Sequence, residues 1–304
     1  MRHLDPFKDI VVIARVGSIR KAAEMLNISP TALNRRLLAM EADFGVQIFE
    51  RSSKGLRLSS SGELIIRHMR NQLSQHDYLI SQIDNLSGLR SGHVSIACSQ
   101  ALLPHFLPEQ IAVFRRAHPN VTFRVRLRDR GMAESSLEDH SADIALVLEP
   151  MNLSVFQSEL TVGQPVWCLM REQHPLAVKD TIRLGECSEY PVALPEANYG
   201  VRFLMDRTLM ASIYGLKPVI EADSFEFLRG LSEHEDVLTF HIPISLPTIP
   251  PLGMVYRPLD PRDVAEGRLS IGYLKGRTLP VAVASFLEHV CRALGDRYCD
   301  PVKP

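Results

Sequence analysis

The sequence has too little cysteine to build a scaffold from. Its 304 residues include five, Cys98, Cys168, Cys187, Cys291 and Cys299, widely spaced and with no CxxC. That excludes a disulfide framework and a zinc site of the usual Cys/His kind. His234 and His241 flank acidic residues at a spacing that matches no metal-ligand pattern. No metal and no cofactor is expected. Long apolar runs are missing too: none approaches the ~20 residues needed to cross a bilayer, so no membrane partner is expected. The opening MRHLDPFKDI lacks the apolar core of a secretory signal, so the simplest reading is a cytoplasmic protein with reduced thiols. There is no GxSxG, Walker A loop or GxGxxG. The nearest acid–base cluster, Asp139-His140 with Asp143, falls in a loop before a strand, and an enzyme is not expected.

Net charge is nearly absent as well, at −1. Taken whole, that argues against a surface built for nucleic acid. The average conceals two halves. Residues 1–92 carry 13 basic and 9 acidic side chains, a balance of +4, which leaves −5 for the rest. A basic segment joined to an acidic remainder suggests an attached nucleic-acid-binding module.

The basic segment reads as short helices. Phe7, Ile10, Val11, Ala14 and Val16 have helical spacing and stop at Gly17. Ser18 is an N-cap for a helix through Ala22, Ala23 and Leu26. Ser29-Pro30 opens the next helix, since proline has no N–H to lose there. That helix ends at Gly45 and turns Leu33, Leu37 and Met40 toward the alanines. Two helices joined by a tight turn describe a helix-turn-helix. The opposite face presents Thr31, Asn34 and Arg35, side chains suited to base edges and phosphates. A basic hairpin follows, with Arg51, Lys54 and Arg57 positioned for backbone phosphates. Ser60 with Glu63 matches a capping box for a long helix. Its seam of Ile65, Met69, Leu73, His76, Ile80 and Ile83 is near-heptad and predicts a dimer, with packing on its own chain as the alternative.

In order and spacing, SIRKAAEMLNIS, MEADFGV, IFERS and LRLSSSG resemble the N-terminal module of LysR-type transcriptional regulators. The resemblance implies that Pro30, Thr31, Asn34 and Arg35 contact bases or the groove. It implies that Arg51 and its neighbours contact phosphates, and that Ser18 and Ser29 cap helices and hydrogen-bond phosphate.

Beyond a break at Ser87-Gly88, strands and helices alternate, which predicts an α/β unit with a parallel sheet. LLPHFLPEQIAVFRRAHPNV, SADIAL and HPLA resemble the effector-binding domain of the same family. The expected fold class is therefore α/β with an all-α N-terminal module: a winged helix-turn-helix (1–60), a linker and dimerisation helix (61–90), and a two-lobed periplasmic-binding-protein-like effector domain (91–304). Lobe one would take 91–162 and 258–304, and lobe two 163–257. Ligands in such folds sit beyond strand carboxyl ends. This points to Ser99, Gln100 and Glu149, to Asn198, Tyr199 and Arg202, and to Ser224 and Phe225. The hydroxyls with Arg202 could hold a carboxylate. Arg124, Arg126, Arg128 and Arg130 alternate as on a charge-guarded edge strand.

The implied function is sequence-specific DNA binding modulated by a small-molecule effector. The partners are double-stranded DNA with a pseudo-palindromic operator, RNA polymerase, and further copies of the chain in a homodimer or dimer of dimers. The alternative is a small-molecule binding protein whose N-terminal module serves assembly.

Overall fold

The computed structural model describes residues 4–52, 55–85, 91–209, 215–216 and 218–298. The chain divides into two compact units, Met1–Ser87 with Arg277–Pro280, and Gly88–Gly276 with Val281–Pro304.

The first unit contains α1 (Asp5–Val16), α2 (Ile19–Leu26), α3 (Pro30–Phe44), a hairpin of β1 (Phe49–Ser52) and β2 (Gly55–Leu58), and α4 (Ser60–Asn85). Local chemistry sets the helix ends. Gly17 and Gly45 close α1 and α3 at φ 68° and 66°, a left-handed conformation that costs glycine nothing. Asn27 closes α2 at φ 54°, tolerated because its short polar side chain suits that region. Ser18 Oγ accepts from the Lys21 N–H at 3.4 Å, and Ser29 Oγ from the Ala32 N–H at 3.2 Å. Each cap satisfies a helix donor that would otherwise be orphaned. Ala22 and Ala23 are fully buried in one core with Leu33, Leu37, Ile10 and Ile13. Their small size lets α2 and α3 cross closely.

Two features differ from expectation. Ser59, not a Ser60–Glu63 box, caps α4: its Oγ accepts from the Gly62 N–H at 2.9 Å and donates to the Gln47 carbonyl at 2.6 Å. A Cβ on Gly62 would lie 2.0 Å from the Ile48 carbonyl oxygen. The helix therefore starts pressed against the preceding loop, and Ser59 joins the two. The apolar seam of α4 also divides. Ile65, Ile66 and Met69 pack into the unit's own core, while Leu79, Ile80 and Ile83 are exposed.

The second unit holds two sheets. Its strands are β3 (Gly92–Cys98), β4 (Val121–Leu127), β5 (Ile144–Leu148), β6 (Phe156–Gln164), β7 (Trp167–Arg171), β8 (Val192–Pro195), β9 (Pro218–Ala222), β10 (Leu238–His241), β11 (Met254–Pro258) and β12 (Gly267–Leu274). Its helices are α5 (Phe106–Ala117), α6 (Met132–Glu138), α7 (Gly200–Leu209), α8 (Phe225–His234) and α9 (Val281–Tyr298). The sheet orders are β4-β3-β5-β12-β6 and β11-β7-β10-β8-β9. Each sheet with its helices forms a lobe. The chain passes to the second sheet after Gln164 and returns after Pro258.

The sheets are mixed rather than parallel. β3 runs parallel to β4 and β5, and β8 to β9 and β10. By contrast, β12 is antiparallel to β5 and β6, and β7 to β10 and β11. The parallel pairs are joined through helices, which carry the chain back to the same end. β6, β7, β11 and β12 are the strands at which the chain changes sheet, and no helical crossover imposes a direction there. β4 is an edge strand, as the alternating arginines predict. Among the described residues, no helix is long and apolar enough to cross a membrane.

Candidate functional site

The first unit presents its polar residues outward. Pro30, Thr31 and Arg35 are exposed on the first turns of α3 and Asn34 is half-buried. Ser29 is exposed at the cap, and Ser18 is half-buried at the start of α2. Arg57 is exposed on β2, where it lies opposite Glu50 of β1. The Arg51 backbone pairs with Leu56 in that hairpin. Lys54 lies outside the described residues. The hairpin is held to the helices by its main chain, since the Leu56 N–H donates to the Gly17 carbonyl at 3.0 Å.

Arg36, the neighbour of Arg35, has the opposite task. It reaches back to Asp9 of α1, whose carboxylate is buried. Glu41 does comparable work for the hairpin. Its Oε1 accepts from the Ile48 N–H at 2.7 Å and the Phe49 N–H at 3.2 Å. Both residues were missed by pattern reading, because their partners lie far along the chain from any helical repeat.

In the second unit, the residues beyond β3 connect the lobes. Gln100 sits in a 3-10 turn just after β3. Its Nε2 donates to the Asp223 carbonyl at 3.0 Å, and its Oε1 accepts from the Phe225 N–H. Tyr199 Oη donates to the same carbonyl at 2.8 Å. The Tyr199 and Phe225 rings meet edge to face at 5.4 Å, and Phe225 lies 5.9 Å from the His241 ring. Arg130 makes a further bridge, stacking on Phe203 of α7 at 3.8 Å while its Nε donates to the Glu149 carbonyl at 3.1 Å. It is therefore not part of the solvated edge that its alternation with Arg128 suggests.

Most of the remaining expected residues are engaged within the chain. Ser99 Oγ accepts from the Leu148 N–H at 3.3 Å and hydrogen-bonds Asp129. Burial raises the Asp129 pKa, opposed by hydrogen bonds from Ser99 and the Gln100 backbone. The buried Glu149, at φ 55°, accepts from the Arg268 N–H at 2.7 Å. Arg202 donates to Asp206 at 2.8 Å, Glu221 at 2.6 Å and the Pro195 carbonyl at 3.1 Å. Ser224 caps α8 by accepting from the Phe227 N–H at 3.2 Å. Asn198 is exposed in the turn before α7.

A cavity of about 390 Å³ opens between the lobes. Gln100, Ala101, Leu103, Pro104 and His105 line it from the first lobe, and Phe225, Glu226, Arg229, His241 and Ser245 from the second. The volume is that of a small-molecule pocket. Of the residues expected from sequence, Gln100 and Phe225 line it. Arg229, His241 and Ser245 were missed, although Glu226, Arg229 and Glu233 already show helical charge pairing at three and four residues' spacing. The buried His241 is held neutral, its pKa pushed down to about 3 by burial and by the Arg229 charge. Its Nε2 lies 3.1 Å from Thr239 Oγ1.

A helix-turn-helix head joined to a two-lobed domain with an inter-lobe cavity defines a DNA-binding regulator that answers to a small molecule. Comparison with known proteins gives the family. Residues 4–63 match the bacterial regulatory helix-turn-helix protein, lysR family, and residues 87–295 match the LysR substrate binding domain. The chain belongs to the LysR family of transcriptional regulators. It is 27% identical over 259 residues to an uncharacterized HTH-type transcriptional regulator, YbhD, of Escherichia coli, covering 85% of this chain and 79% of that protein. A full-length OxyR point variant from Pseudomonas aeruginosa shares the fold with a TM-score of 0.74 at 19% identity, over 99% of this chain and 98% of that one. Full-length CbnR complexed with its target DNA does so with a TM-score of 0.59 at 16% identity, over 95% and 99%.

Proposed function

We propose that this regulator reads a pseudo-palindromic operator as a homodimer or a dimer of dimers, in the cytoplasm. A small-molecule effector held between the lobes then sets subunit geometry and contact with RNA polymerase, without being turned over. The observation that carries the DNA half is the outward face of α3. Thr31, Asn34 and Arg35 offer a hydroxyl, an amide and a guanidinium to base edges. Ser29 and Pro30 open the helix, whose free N–H groups attract phosphate. Ser18, Arg51, Lys54 and Arg57 are assigned to backbone positioning. The exposed Leu79, Ile80 and Ile83 on the second half of α4 fit a partner helix, which would bring a second head to a second half-site. Gln100 and Phe225 touch the effector. Ser99, Glu149, Asn198, Tyr199, Arg202 and Ser224 form the surrounding frame.

Selection of a preferred duplex by the full-length protein, followed by titration at several salt concentrations, tests the reading. Arg35→Ala should lose about 1–3 kcal/mol on the preferred duplex and relax preference at one position. Arg57→Ala should weaken all duplexes alike and lower the salt slope by about 1. An Arg35→Ala protein with unchanged affinity and preference would remove α3 as the reader.

A further inference from the structure

Among the described residues, the charged side chains that line the inter-lobe cavity are paired with opposite charges from the same chain. Arg229 donates through Nε and Nη2 to Glu226 and through Nη1 to Glu233, the last at 3.1 Å. This triad carries a formal charge of −1, with its single cation paired to two carboxylates. His105, at the exposed rim, faces Glu226. Gln100 has both ends of its amide engaged by the Asp223 and Phe225 backbone. Ser245 Oγ donates to the Ile242 carbonyl at 2.7 Å. Arg202, the cation that sequence reading offers to a carboxylate, is held by Asp206 and Glu221. What remains facing the cavity is mainly Ala101, Leu103, Pro104 and the Phe225 ring, with His241 beside them.

We propose that this cavity takes an uncharged ligand with an apolar, ring-sized body and a single polar head, and that it discriminates against carboxylates. The proposal rests on the reading of the cavity as the effector site. A carboxylate entering here would leave water without gaining a free cation and would approach a triad of net negative charge. His241 cannot supply the missing proton near neutral pH, because its environment opposes the charged form. An ammonium ligand would meet the same apolar lining, and the carboxylates that could receive it are committed to Arg229. A neutral amide or phenol incurs neither penalty, and it can use the N–H groups that Arg229 has left.

Three near-isosteric probes test this on the full-length protein: 2-phenylacetamide, phenylacetate and 2-phenylethylammonium. Binding is read from the methyl signals of Leu103 by NMR. The amide should bind at least about fivefold more tightly than either ion. Glu226→Gln with Glu233→Gln, both on partly exposed side chains, turns the triad from −1 to +1. It should raise phenylacetate affinity about tenfold relative to the amide. Phenylacetate or the ammonium binding as tightly as the amide in the unsubstituted protein would overturn the ligand class and leave the effector reading standing. The same holds for a double variant that gains nothing for phenylacetate. If no probe moves the Leu103 signals at millimolar concentration, the cavity is not a ligand site, and both readings of it fail together.

Discussion

The two units handle polar groups in opposite ways. In the head, Thr31, Arg35 and Arg57 stand at the surface, while Ser18 and Ser29 commit their hydroxyls to their own helices. In the two-lobed unit, Arg202, Arg229, Gln100 and Glu149 are satisfied by the chain itself, within a helix, between neighbouring elements or across lobes. The difference follows from the partners. Duplex DNA arrives with its own charges and meets the head at a wet surface, where displayed cations steer and hold it. On the reading proposed above, a small ligand would enter a partly dry cavity, where an unpaired charge would be a standing cost whenever the cavity is empty. Recognition in the head is therefore a matter of what is displayed. In the lobes it depends on what internal pairing leaves over.

Glu41 breaks this contrast inside the head, because it works as the lobe residues do. One carboxylate oxygen receives the N–H groups of Ile48 and Phe49, both buried at the start of the hairpin. Glu41→Ala would orphan both donors, and a loss of about 3 kcal/mol is expected from the head's urea transition. Arg35→Ala, six residues earlier on the same helix, should leave that transition within about 0.5 kcal/mol, as surface substitutions do. Comparable transitions for the two variants would mean that the head is held by its caps and core alone.

The same contrast sets how much was legible in the sequence. The Ser18 and Ser29 caps lie three residues from the N–H groups they receive, and Gly17 and Gly45 close helices with their own backbone, so local pattern finds them. The fold of the lobes was legible in outline from the strand and helix alternation, together with the family resemblance. Strand direction was not, because β12 meets β5 only after the chain has passed through the other lobe. The α4 seam was ambiguous for a related reason. A narrow apolar stripe is the same pattern whether its partner is α1 or a second chain, and here the two halves of the helix differ. The cavity was the least legible part. Gln100 and Phe225 could be placed from strand ends, but His241 and Arg229 reach it only through tertiary packing.

His241 sharpens the comparison through pH. Its pKa in the folded chain is about 3, below the usual 6.5, so below pH 6.5 the unfolded chain takes up a proton that the native chain refuses. The stability this group contributes is complete above pH 6.5 and is lost progressively as pH falls toward 3. The expected slope is about 1.4 kcal/mol per pH unit, or about 2 kcal/mol between pH 6.5 and 5. Arg229 adds to the opposition and Glu226 works against it. His174 and His289 are shifted the same way by burial, and Asp129 the other way. All three persist in His241→Gln and cancel in the difference. Urea unfolding of the two-lobed unit should therefore show an acid slope shallower by one proton in that variant. Parallel slopes would show that the ring is protonated in the native state, and would return a cation to the cavity.

The smallest expected effect concerns Gln100, and it asks whether internal pairing in the lobes also controls motion. Its amide imitates a peptide unit, giving one N–H to Asp223 and taking one from Phe225, so it ties the end of β3 to the start of α8. Gln100→Ala removes two hydrogen bonds to groups that water can reach when the lobes part, a net change of about 1 kcal/mol. That corresponds to a roughly fivefold shift between joined and parted lobes. Spin labels placed on α5 and on α8 would read it as a second, longer distance population. Gln100→Glu should go further, because a carboxylate still accepts from the Phe225 N–H but opposes the Asp223 carbonyl with an acceptor. A Glu variant with the distance distribution of the unsubstituted protein would show that the Arg130–Phe203 stack holds the lobes without this residue. Gln100 would then be a lining group only, and the control of closure would pass to side chains outside the cavity.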